Sequence, residues 1–184
     1  MEPIFPSLLV RKFENKAPRG RALDLGSGQG NDALFLAQRG FSVTAVEIRK
    51  DMAEIIKERA EENQLKVDVV QQDIRDFSIA ENSVVFISAM NCLHYFLKQE
   101  FLDIIEKIKR GLVKGGIAVI GLFTTEDPMF EKAKAEMIVQ DGGGFRDDKG
   151  RKLYFPKPHE LKKIFEKDFE VLFILKRSLQ TRVM

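Results

Sequence analysis

Between Pro18 and Pro128 the chain carries no proline, and short apolar runs alternate there with amphipathic stretches. "RALDL" is an apolar run stopped by glycine, which predicts a buried strand. "NDALFLAQRG" predicts a helix ended by Gly40. "FSVTAVE" is β-branched and strand-like, and "RKDMAEIIKERAEENQ" predicts an amphipathic helix with Met52, Ile55, Ile56 and Ala60 inward. "KVDVVQQD" and "SVVFISAM" read as the third and fourth strands. The helix "KQEFLDIIEKIKRGL" then leads through "KGG" to a fifth strand, "IAVIGLF". Strands alternating with helices predict right-handed βαβ units, hence an α/β fold: a Rossmann-like, doubly wound, mainly parallel sheet with helices on both faces.

Beyond Phe123 the alternation stops. "PMFEKAKAEMIVQ" reads as a helix, "DGGGFRDDKGRK" as a turn-rich loop or hairpin, "PHELKKIFEK" as a helix and "FEVLFILKR" as a last strand. The expected organisation is one domain over residues 1–184, with a core at 19–123 and an insert at 124–158. A terminal helix and edge strand occupy 159–184. The glycines of "DGGGFRDDKGRK", with few apolar residues around them, suggest a mobile lid on the acceptor side.

Composition narrows the class without choosing a function. The chain has 184 residues, 44% hydrophobic and 32% charged, as in ordinary globular domains. Thirty basic residues against 28 acidic ones leave a net charge of +2, which signals neither nucleic acid nor a membrane surface. The single cysteine, Cys92, excludes an internal disulfide and fits a reducing compartment. The start, "MEPIFPSLLVRKFENK", lacks the pattern of a signal peptide, and no apolar run is long enough to span a bilayer, so a cytoplasmic protein is expected. It can be a monomer or a homodimer.

The chemistry is concentrated in "ALDLGSGQGN". Gly26, Gly28 and Gly30 follow the first strand and open a helix, the place where open α/β sheets bind ligands. The spacing is G-x-G-x-G, with Asn31 where a dinucleotide site would need its last glycine. Asp24 would set a carboxylate against a pyrophosphate, and no P-loop lysine follows, so neither NAD nor a nucleoside triphosphate suits the loop. A cationic ligand without phosphate does: S-adenosylmethionine. Glu47, ending the second strand, is placed to accept the ribose hydroxyls, although that alone would fit NAD equally. As a strand-end charge it is expected at the surface. Asp73, ending the third strand, can accept from the adenine amino group, or serve as a turn or helix-capping acid.

At these residues the chain resembles the class I S-adenosylmethionine-dependent methyltransferases over roughly residues 19–123. "LDLGSGQG", "AVEIRKDM" and "QQDIRDF" are similar to the family's glycine, ribose and adenine motifs, and "LVKGGIAVI" to the segment entering its fifth strand. "LDLGSGQGNDALFLAQRGFSVTAVE" and "ELKKIFEKDFEVL" further resemble the small tellurite-resistance and thiopurine-type methyltransferases. The resemblance implies that Gly26, Ser27, Gly28 and Gly30 line the methionine moiety and that Asp24 supports its ammonium or the loop. It implies Ile48 and Met52 packing on the adenine, Asp73 and Ile74 at its amino edge, and Asn91 near the methyl-donor end. S-adenosylhomocysteine is then the product and a small molecule the acceptor. Only "SLQTRVM" follows the last strand, so the family's seventh strand is short, absent or supplied by another chain.

Methyl transfer to an activated donor needs a base only if the acceptor arrives protonated. His94 is the base candidate, with plain packing at a helix start as its competing role. No metal is expected. Alternative functions are an RNA or protein methyltransferase, a non-catalytic S-adenosylmethionine-binding protein and, less favoured, an NAD-dependent oxidoreductase. "SAMNCLHYF" lacks the proline-rich clamp of nucleic-acid amino-methyltransferases.

Overall fold

The computed structural model describes residues 3–140 and 142–171. These residues belong to two compact units, one of residues up to 93 with 100–122, the other of 94–99 with those from 123 onward. The first unit holds strands β1 (Arg21–Leu25), β2 (Ser42–Glu47), β3 (Val67–Gln71), β4 (Val84–Met90) and β5 (Leu112–Gly121). They form a five-stranded sheet in the order β3-β2-β1-β4-β5, and every pairing is parallel. Ala22, Leu23, Asp24 and Leu25 are all buried. Since successive side chains of a strand point to opposite faces, both faces of the sheet are covered at β1.

Helices α1 (Leu8–Phe13), α2 (Asn31–Gln38), α3 (Lys50–Glu62) and α4 (Lys98–Gly111) accompany these strands. In α4, Phe101, Ile104, Ile105 and Ile108 are buried, an apolar stripe at the helical repeat. The buried side of α3 is Ala53, Ile56, Arg59 and Ala60. Met52 and Ile55, expected inward, are half-buried, because the stripe lies one residue further round the helix. Helix α1 has no expected counterpart; its Val10 and Phe13 join Ala22, Val43, Phe41 and Phe86 in the main core. After α4, Leu112 pairs with Val84, and regular pairing resumes only at Phe86 with Ile117. The "KGG" turn therefore sits as an irregularity inside the strand rather than before it.

In the second unit, α5 (Pro128–Glu136) starts at Asp127, whose carboxylate accepts from the Met129 amide at 2.9 Å, with proline in the first turn. The helix expected to continue through Gln140 ends at Glu136. Strands β6 (Ile138–Val139), β7 (Gly144–Arg146) and β8 (Lys152–Tyr154) form an antiparallel meander, followed by α6 (Pro158–Glu166). The glycine-rich segment is pinned after all. Phe145 is buried with Ala133, Leu153 and Phe155, and meets Phe130 and Phe155 edge to face at 5.9 and 5.8 Å. Asp147 accepts from the Lys149 and Arg151 amides and pairs with the Arg151 guanidinium, closing the turn. The expected last strand, "FEVLFILKR", begins at Phe169, and all but its first three residues lie outside the described residues, as does "SLQTRVM".

Phe86, fully buried on β4 beside β1, anchors this packing. Replacing it with alanine is expected to cost about 3–5 kcal/mol, from lost burial and the cavity left behind. Denaturant unfolding of the two proteins checks the value.

Candidate functional site

In this sheet order the chain runs outward from β1 to β3 and then returns to the other side of β1 with β4, so the crevice at the ends of β1 and β4 is the topological switch point. The loop Gly26–Gly30 leaves β1 there. The amides of Gly26 and Ser27 both donate to the Val46 carbonyl, at 2.8 and 3.1 Å, tying the loop to β2. The Ser27 hydroxyl donates to the Asp24 carbonyl at 2.7 Å, and the Gly30 amide to the Ser27 carbonyl at 2.8 Å. Two positions admit only glycine. Gly26 has φ +68°, and a Cβ there would lie 2.5 Å from the Cys92 Cβ. Gly30 has φ +77°, and its Cβ would fall 2.9 Å from an Ile56 methylene. A Cβ on Gly28 would instead meet open space.

Glu47 ends β2 and is only 6% exposed, which corrects the expectation of a surface charge. Its Oε2 accepts from the Gly28 amide at 2.8 Å and its Oε1 from the Arg49 amide at 2.9 Å. Ile48 beside it is largely exposed, and Met52 is half-buried. At the end of β3, Asp73 accepts from the Arg75 amide at 2.8 Å and from its guanidinium at 2.7 Å. Those hydrogen bonds hold its carboxyl below the usual range. Ile74 is buried, and Asn91 is exposed with φ +56°. All of these residues lie in the first unit.

Asp24 lies beneath the loop. Its Oδ1 accepts from the Ser88 hydroxyl at 2.6 Å, and among the described residues Oδ2 has no hydrogen-bond partner. Burial, with Asp32 adding repulsion, pushes its pKa up to about 7. Asp32, in the first turn of α2, is raised too, and it accepts from the amide and hydroxyl of Ser7, at 2.6 and 2.7 Å. Cys92 donates to the Leu25 carbonyl at 3.0 Å, and burial pushes its thiol up, so it is a wedge beneath Gly26 rather than a nucleophile.

His94 belongs to the second unit, on the turn Leu93–Tyr95. It is 1% exposed and lies against Tyr95 and Phe123, with ring centroids 4.4 and 4.2 Å away. Among the described residues neither ring nitrogen has a hydrogen-bond partner. Burial pushes its pKa down to about 4, so the ring is neutral at ordinary pH.

The sequence reading missed Ser88, Asp32 with Ser7, and Arg59. Arg59 had a signal: it stands three residues after Ile56 on the apolar stripe of α3, where a charge is unexpected. Ser88, in an otherwise apolar strand, offered a weaker one. Among the described residues no cluster of histidine, cysteine and acidic side chains could hold a metal, and no helix is long and apolar enough to cross a membrane.

The methyltransferase domain family matches residues 22–116. A 23S rRNA (uracil(747)-C(5))-methyltransferase from Pyrococcus abyssi is 38% identical over 63 residues, covering 34% of this chain and 15% of that protein. A protein named probable S-adenosyl-L-methionine-dependent methyltransferase TehB, from Haemophilus influenzae, is 28% identical over 109 residues, covering 58% of this chain and 37% of its own. The chain thus spans less than half the length of either curated relative. Among solved structures, a SAM-dependent methyltransferase from Methanosarcina mazei superposes with a TM-score of 0.75 at 22% identity, covering 93% of this chain and 90% of its own. With the family match reaching from β1 into β5, around the glycine loop and all three strand-end acids, the chain belongs to the methyltransferase domain family and has the class I S-adenosylmethionine-dependent methyltransferase fold.

Proposed function

We propose that this protein transfers the methyl group of S-adenosylmethionine to a small-molecule acceptor. The observation that carries the donor assignment is the loop Gly26–Gly30 at the switch point, open at Gly28 and held against the Glu47 carboxylate. Gly26, Ser27, Gly28 and Gly30 would hold the methionine moiety. Glu47 would take the ribose, giving up the Gly28 amide or sharing an oxygen with it. Ile48, exposed beside it, and Met52 supply the apolar surface for an adenine, and Ile74 and Asp73 its edge. Asn91 would stand toward the methyl group. Asp24, being buried, acts on the loop from below rather than on the ligand directly.

The donor supplies an activated methyl group, so the protein's own part is alignment and exclusion of water. His94 is the candidate base. Being neutral at ordinary pH it can accept a proton, but its weak basicity suits acceptors that lose that proton late, as the methyl group arrives. The acceptor side is assigned to the second unit. A near-balanced charge of +2, with basic residues interleaved among acids, supports a small acceptor over RNA. A screen of thiols, amines, catechols and chalcogen oxyanions with labelled donor tests that choice.

Calorimetry should show saturable binding of S-adenosylhomocysteine and none of NAD; the reverse pattern would end the donor assignment. Glu47→Ala is expected to weaken S-adenosylhomocysteine binding by about 1.5–3 kcal/mol, the scale of hydrogen bonds to a charged group. Because two backbone amides also lose their acceptor, it should lower folding stability by about 1–3 kcal/mol. An unchanged affinity would reduce Glu47 to a structural acid.

Asp24 makes a prediction in pH. Its folded pKa, about 7, stands above the ordinary aspartate value of 3.8, so the folded protein holds more protons than the unfolded chain between those limits. This group's contribution to stability is therefore lost as pH rises from about 4 to about 7. Asp24→Asn removes the buried charge and should stabilise the fold more at pH 8 than at pH 5. Guanidinium denaturation at both pH values checks the sign; equal effects would show that the carboxyl titrates normally.

A further inference from the structure

Between β3 and β4 the chain makes a turn at "DIRDF", residues 73–77. Its main chain closes it: the Asp76 and Phe77 amides both donate to the Asp73 carbonyl, at 3.0 and 3.1 Å. From α4, the Lys107 ammonium donates to the Arg75 and Phe77 carbonyls. The Arg75 side chain acts on top of that closure, and it bridges two acids. Nε lies 3.1 Å from both carboxylate oxygens of Asp73, and Nη2 donates to Oδ2 at 2.7 Å. Nη1 donates at 2.6 Å to Glu100, in the first turn of α4.

Oδ1 of Asp73 also accepts from the Arg75 amide, at 2.8 Å. A carboxylate offers about four acceptor positions. The amide, Nη2 and the straddling Nε account for three among the described residues. The fourth belongs to a side chain that is 13% exposed, within reach of a ligand. A carboxylate rotates freely about its last bond, so an unguided one presents its oxygens over a broad range of directions. The flat guanidinium fork, gripping two oxygens at once, removes that freedom. Glu100 fixes where the fork points, because it holds the opposite end of the same rigid group.

We infer that Arg75, directed by Glu100, is a positioning residue for base selection: it aims the remaining acceptor position of Asp73 at the amino group of an aminopurine. The inference rests on the donor assignment proposed above. A purine without that amino group would strip water from the carboxylate and offer no donor in return, which is how a site built around one hydrogen bond rejects the analogue that lacks it. Lysine can substitute only in part, because a single ammonium cannot hold two oxygens in a plane.

The test uses the full chain and two probes: S-adenosylhomocysteine, and its analogue with hydrogen in place of the adenine amino group. Wild type is expected to prefer the first by about tenfold or more. R75M should shrink that preference to within about threefold, with R75K and E100Q in between. A merely structural arginine would weaken both probes alike, so a preference kept at the wild-type ratio in R75M overturns the inference, however far both affinities fall. If R75M fails to fold, R75K and E100Q decide on the same ratio: a smaller preference supports the positioning role, and an unchanged one overturns it. Wild-type protein that binds both probes equally overturns this inference and leaves the donor assignment standing. Wild-type protein that binds neither overturns the donor assignment itself, and this inference with it.

Discussion

The Glu47 carboxylate, with one oxygen on the Gly28 amide and the other on the Arg49 amide, is the contact on which the candidate site depends. Glycine-rich loops lose more conformational entropy on ordering than any other kind. Something must offset that loss before a ligand arrives. Here the offset comes from β2: the Val46 carbonyl takes the amides of Gly26 and Ser27, and the next residue, Glu47, takes that of Gly28. Parallel pairing of β1 with β2, in the register that sets Leu25 beside Val46, is what brings those acceptors level with the loop. The fold's register and the site's geometry are therefore one constraint.

Beneath the loop the molecule tolerates an electrostatic arrangement that packing alone would not select. Asp24 and Asp32 repel each other, and burial raises both carboxyls. Ser88 and Ser7 supply hydroxyl donors, one from β4 and one from just before α1, which soften the cost. Buried polar groups of this kind fix which elements must meet, because a slip in either would strand a carboxylate in apolar surroundings. Ser7 thereby recruits the N-terminal segment to the start of α2.

Much of this was legible in the sequence. The five strands, their parallel direction and the glycine loop follow from period and punctuation, signals carried by many residues at once. Glu47 and Asp73 were found by position, at strand ends, but their surroundings were not. Glu47 is buried because the loop folds back over β2, a contact between residues nineteen apart that no local pattern encodes. Asp73 faces Arg75, two residues on, so its turn-forming role was readable from "DIRDF", whereas its engagement with the guanidinium was not. In the second unit a hairpin was one of the readings of "DGGGFRDDKGRK", where β7 and β8 pair, but the meander that β6 completes escaped for a different reason. Its strands are two or three residues long, too short to show alternation, and its core is built from single phenylalanines scattered between glycines.

The acceptor is harder to read than the donor, and the chemistry explains why. A sulfonium leaves as a neutral thioether, so the methyl carbon demands little of the protein beyond a straight approach and a dry environment. Donor recognition, by contrast, needs fixed amides and a carboxylate at set positions, and the groups proposed for it sit at three strand ends of a single sheet. The residues proposed to hold the donor all belong to the first unit, while His94, Tyr154 and the phenylalanine cluster belong to the second. The second unit is under no such shared demand. On the proposed reading, acceptor specificity is to be sought in the shape and charge of the second unit, where His94 is a neutral, buried ring rather than a strong base.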